Sequence, residues 1–107
     1  MDRVRRLAQV ENQNFRPNRA PVQIALIWRG PERDTALMTQ YLNTNGAFLR
    51  CDPNILPDGS IPLTLSERGL FNVSAHVVQR EQSGVAVEFT GAEEGFYQAV
   101  SRILDRY

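Results

Sequence analysis

Apolar and polar side chains alternate along most of this chain. From Val22 the residues Val22, Ile24, Leu26 and Trp28 fall on one face and Gln23, Ala25 and Arg29 on the other, the two-residue period of a half-buried strand. Arg29-Gly30-Pro31-Glu32-Arg33-Asp34 interrupts the run as a turn, and Thr35 to Leu42 predicts a second strand. Asn45-Gly46 is a short hairpin signal because both residue types tolerate positive φ, and Ala47 to Cys51 predicts the returning strand. Asp52 to Ser60, with Pro53, Pro57 and Asp58-Gly59, reads as a surface loop, after which Ile61, Leu63 and Leu65 alternate again.

The last hairpin is the clearest. Phe71, Val73, Ala75 and Val77 share a face, Gln79 to Ser83 predicts the turn, and Val85, Val87 and Phe89 line the partner strand. The period then changes: Phe96, Ala99, Val100, Ile103, Leu104 and Tyr107 recur at helical spacing. Thr90-Gly91-Ala92-Glu93 fits a capping box, with Glu93 and Glu94 at the predicted helix start and Arg102 and Arg106 at its end, in accord with the helix dipole. Six short strands and one amphipathic helix predict a mainly β fold, a six-stranded antiparallel barrel with a C-terminal α-helix over one opening or face. Residues 1–18 are rich in Arg, Asn and Gln, and Pro17 holds Arg16 extended. They read as an arm, with one helical turn near Val4 to Val10, that orders only against the body or a ligand; the barrel and helix then take residues 19–107.

Charge narrows the function classes. Twelve basic and twelve acidic residues cancel, so general attraction to nucleic acid or anionic membrane is not expected. Every basic residue is Arg, a choice that suits planar, bidentate recognition of phosphate or carboxylate and that base composition also accounts for. Seven Arg precede residue 34 against Asp2, Glu11 and Glu32, which puts any anion site near the N-terminus. One Cys and one His cannot build a disulfide or a structural zinc site. The chain carries no signal-like or membrane-spanning apolar run, so a soluble, cytoplasmic protein without membrane insertion is expected.

Four pieces, in order and spacing, resemble the PilZ domain, a bacterial cyclic di-GMP-responsive barrel: Arg19-Ala20-Pro21-Val22 entering the first strand, Gly46-Ala47-Phe48-Leu49-Arg50 after the second turn, Leu56-Pro57-Asp58-Gly59 before the fourth strand, and Ala75-His76-Val77-Val78 followed by Gly84-Val85-Ala86-Val87-Glu88-Phe89. The resemblance covers most of the chain. It implies a ligand site made of two Arg separated by three residues ahead of the first strand, then, at the second turn, Asp or Asn, any residue, Ser, two more residues and Gly. Arg grips phosphate or guanine, the acid or amide accepts from guanine N–H groups, and Gly lets the turn backbone approach closely.

The chain departs from that pattern. Arg19 matches the second Arg, but Phe15 stands in the first Arg slot with Arg16 beside it. Gly46 matches, whereas Tyr41 stands for the Asp or Asn and Asn43 for the Ser. A hydrogen bond to a charged group contributes roughly 1.5–3 kcal/mol, so two lost partners cost ~3–6 kcal/mol, about two to four decades in affinity. The expectation is weak or absent cyclic di-GMP binding, with Arg16, Arg19, Tyr41, Asn43 and Gly46 as the ligand residues if the site is retained. No other cofactor is implied.

Other chemistry is thin. Ser74 and His76 share a strand face but lack an evident third group, and a solvent-facing His76 is the expected reading. Cys51 reads as a small hydrophobe, and the carboxylates are scattered. The resemblance therefore implies a non-enzymatic bacterial signalling or adaptor module that regulates motility, development or surface behaviour through protein partners, not nucleic acid. The alternative is a genuine cyclic di-GMP receptor with a non-standard site built from Arg16, Arg19 and Asn43.

Overall fold

The computed structural model describes residues 22–106. Six strands run through them, β1 (Ala25–Arg29), β2 (Asp34–Leu42), β3 (Gly46–Arg50), β4 (Ser60–Ser66), β5 (Leu70–Glu81) and β6 (Gly84–Ala92), followed by the helix α1 (Phe96–Asp105). All pairings are antiparallel, and the order β1-β2-β3-β6-β5-β4 closes on itself where β4 pairs β1. The mainly β barrel with a C-terminal helix is thus the fold that the alternation predicted.

Closure needs curvature, and irregular registers supply it. The β2–β3 ladder shifts between Thr39 and Tyr41, and the β5–β6 ladder shifts at Ser74/Ala75 and again at Val77/Gln79. Pro62, which has no N–H to donate, pairs with Ser74 of β5 just beyond Leu63, where the β1–β4 ladder stops.

The inward residues Leu26, Leu37, Leu49, Ile61, Leu63, Leu65, Val73, Ala75, Val85 and Val87 form one buried cluster. Phe96, Ala99, Val100 and Ile103 of α1 belong to the same cluster, and the Phe96 ring meets Phe89 edge-on at 5.1 Å. The helix therefore closes one end of the barrel with its apolar face. At its far end the Arg106 guanidinium holds both Glu67 carboxylate oxygens, at 2.9 and 3.0 Å, tying the helix to the β4–β5 turn.

Four local expectations need correction. The loop 52–59 is not only a surface loop: Leu56 is 1% exposed and lies in the core cluster, so the loop plugs the end opposite the helix. Arg80 clamps that loop, donating to the Pro53 carbonyl and, at 2.8 Å, to Asp58. The final hairpin is tighter than its polar residues suggest, with Glu81 paired to Gly84 and only Gln82-Ser83 between them. Arg80 thus sits in a strand, where it can reach across.

The capping box is also absent. Thr90 to Ala92 extend β6, and the residue preceding the helix is Gly95, at φ 94°, without a side-chain cap. Glu93 is drawn to β5 instead: its N–H donates to the Asn72 carbonyl and its carboxylate accepts from the Asn72 N–H. The Asn72 N–H near the start of β5, rather than the helix start, takes that side chain. A Cβ on Gly95 would approach the Phe71 ring to 2.7 Å, so position 95 needs glycine for space as well as for φ. Finally, neither Asn45 nor Gly46 is left-handed; among the described residues positive φ occurs at Gly59, Arg68, Gly69 and Gly95.

Candidate functional site

The β2–β3 turn explains itself through Asn43. Its side-chain oxygen accepts the N–H groups of Asn45 at 2.8 Å and Gly46 at 3.0 Å, while its own N–H donates to the Gly46 carbonyl. A short amide that can fold back onto its own backbone is what this turn selects. Asn45 adds a bond outward, its carbonyl accepting the Phe89 N–H at 2.9 Å, which pins the turn to β6.

Gly46 serves a different purpose from conformational freedom. It pairs with Glu88 at the start of β3, and a Cβ there would run into the Val87 carbonyl oxygen. The close approach is between two strands of the barrel, not between turn and ligand. Tyr41 is half-buried on β2 opposite Phe48, and these two pack with Ala86 and Val78 in a second, smaller cluster. Asn43 and Gly46 are therefore joined in one turn, while Tyr41 faces the sheet surface. Arg16 and Arg19, with the rest of the arm and the boundary at residues 18 and 19, lie outside the described residues.

The sequence reading missed a cleft of about 540 Å³ beside this turn, lined by Thr44, Asn45, Glu88, Phe89 and Tyr97. Its charged wall is Glu88, whose carboxylate lies 3.4 Å from His76 Nε2 across the β5–β6 ladder. His76 is thus half-buried beside an acid rather than simply solvent-facing. Its ring and Ser74 stand two residues apart on one strand, roughly 6.6 Å, a spacing that does not bring a hydroxyl onto an imidazole. The signal for the cleft was the pairing of His76 with Glu88, which needs the hairpin register, and the exposed Tyr97 beside buried Phe96, which needs the helix orientation.

The remaining candidates are structural in their settings. Burial, with Asp52 adjacent, pushes the Cys51 thiol up despite an opposing pull from Arg80, which keeps it protonated at neutral pH. The hydrogen-bonded Arg106 guanidinium pulls the Glu67 carboxyl down; little of Glu67 is exposed, yet it stands at the barrel rim, and pairing outweighs desolvation there. Among the described residues no three His, Cys, Asp or Glu side chains converge as a metal site, and no helix is long and apolar enough to cross a membrane.

No protein-family model, curated protein or solved structure matches this chain. Its function therefore has to be read from its own residues.

Proposed function

We propose that this chain is a non-enzymatic, PilZ-like bacterial signalling or adaptor module, cytoplasmic, acting through protein contacts in motility, development or surface behaviour, with weak or absent cyclic di-GMP binding. The observation that carries the reading is the commitment of Asn43: its one acceptor oxygen already takes two backbone N–H groups, so accepting guanine N–H groups with it means dismantling the turn. Tyr41, where a guanine-reading acid or amide would be expected, packs on Phe48 instead. Exposed apolar groups at the helix-capped end, Leu70 at 68% and Tyr97 at 42%, suit contact with another protein.

Calorimetric titration of the full chain with cyclic di-GMP tests this reading. No saturable heat is the expected result; saturable binding that Arg19→Ala abolishes overturns it. The cleft beside the turn favours a second reading, a receptor with a non-standard site, because the Glu88 carboxylate is an acceptor of the kind guanine N–H groups need and Tyr97 offers a ring to stack on. In that case Glu88→Gln and Tyr97→Ala each weaken the titrated binding.

A further inference from the structure

Asn45-Gly46 is the one place in the sequence where glycine follows asparagine. The backbone nitrogen after an asparagine can attack the side-chain Cγ. A bond forms between that nitrogen and Cγ, the bond from Cγ to the amide nitrogen breaks, and the displaced proton leaves with the amide as ammonia. Water then opens the cyclic imide at either carbonyl, giving aspartate or its isomer with the main chain routed through the side-chain carbon. Asparagine is thermolabile for this reason, and a following glycine, without a Cβ, obstructs the attack least.

The barrel cannot remove this pair by changing residue 46, because a Cβ there would run into the Val87 carbonyl oxygen. Asn45 is exposed, and its side chain has no hydrogen-bond partner among the described residues. The peptide unit between the two residues, by contrast, is held on both sides. Its N–H donates to Asn43 Oδ1 at 3.0 Å, and its carbonyl accepts the Phe89 N–H at 2.9 Å. The same Asn43 oxygen takes the Asn45 N–H at 2.8 Å. Ring closure needs the Gly46 N–H stripped of its proton and the peptide plane turned toward Cγ, so both bonds have to break first.

We propose that Asn45-Gly46 is a self-modification site that the folded barrel keeps shut, with Asn43 as its guard. Opening of the turn starts an irreversible change from amide to acid. The product is a carboxylate at the cleft that Glu88 also lines, or a lengthened main chain ahead of β3. The site thus records how long the turn has spent open, and it does so whether or not the protein binds a nucleotide.

Timed incubation of the full chain at neutral pH and physiological temperature, followed by peptide mapping in a mass spectrometer, tests this. Conversion at Asn45 is read as the mass gain from amide to acid. It is expected to run roughly tenfold or more slowly in the native chain than in Asn43→Ala. Asn43→Asp keeps an acceptor for both N–H groups and is expected to stay as slow as the native chain. Equal rates in the native chain and Asn43→Ala overturn the proposal, and so does an Asn43→Asp rate that matches Asn43→Ala. If Asn43→Ala fails to fold by circular dichroism, the native chain unfolded in guanidinium chloride takes its place. Roughly tenfold faster conversion there than in the folded native chain and Asn43→Asp supports the proposal, and equal rates overturn it.

Discussion

The two ends of the barrel are closed in different ways. At one end, ten residues of α1 lower four apolar side chains into the core, and Arg106 latches the helix to Glu67. At the other, a loop without regular structure inserts the single side chain of Leu56 and is held by Arg80. The helix satisfies most of its backbone groups internally and offers a broad apolar face. The loop makes two short-range bonds, from the Asn54 and Ile55 N–H groups to Asp52, and a strand side chain, Arg80, supplies its tie to the barrel. A helical lid is accordingly integral to the fold, whereas a loop plug is a local structure that opens with less of the molecule.

Gly46→Ala is the most damaging change expected, because the added methyl strikes a strand carbonyl rather than a movable side chain. It separates β3 from β6 beside the helix-capped end and costs more than about 4 kcal/mol, read as loss of a cooperative transition in chemical denaturation. Phe96→Ala removes the largest plug from the same end and is expected to cost about 3–5 kcal/mol in the same assay. Leu56→Ala at the opposite end is expected to cost about 2–5 kcal/mol, and hydrogen exchange in residues 52–59 should rise more than global unfolding accounts for. If the two ends close independently, although Leu56 and Phe96 belong to one core cluster, the double variant should add within about 0.5 kcal/mol. Marked non-additivity would show one coupled closure.

Smaller effects sharpen the same contrast. Asn43→Ala leaves the Asn45 and Gly46 N–H groups without their acceptor and is expected to cost about 1–3 kcal/mol, a shift that thermal melts resolve. Glu67→Gln probes the helix latch through pH. The lowered pKa of Glu67 means that its contribution is present above the ordinary glutamate pKa and is lost as pH falls through the lowered folded value. Melts from pH ~7 to ~3 should therefore show the native chain losing its advantage over Glu67→Gln at the acid end. A gap that is constant across that range places the latch's effect outside its charge.

Strand periodicity and the helical spacing of Phe96, Ala99, Val100 and Ile103 sufficed to define a mainly β barrel with a terminal helix, because each of these patterns is repeated within one element and needs no partner to be read. Gly46 was legible as a turn residue and Asn43 as a ligand position, but not what holds them there: the glycine answers to Val87 on a strand some forty residues away, and the amide answers to two N–H groups of its own turn. Leu56 was hidden because a lone apolar residue in a proline-containing loop has no period. Glu93 was misread because the helix start and the start of β5 compete for the same carboxylate, and only the fold places Asn72 within reach. The packing of Phe48 with Ala86 and the pairing of His76 with Glu88 likewise depend on which face of which strand meets which. Local pattern determined the elements; contacts between residues distant in sequence decided what each polar or solitary side chain does, since their energies exist only once the barrel has closed.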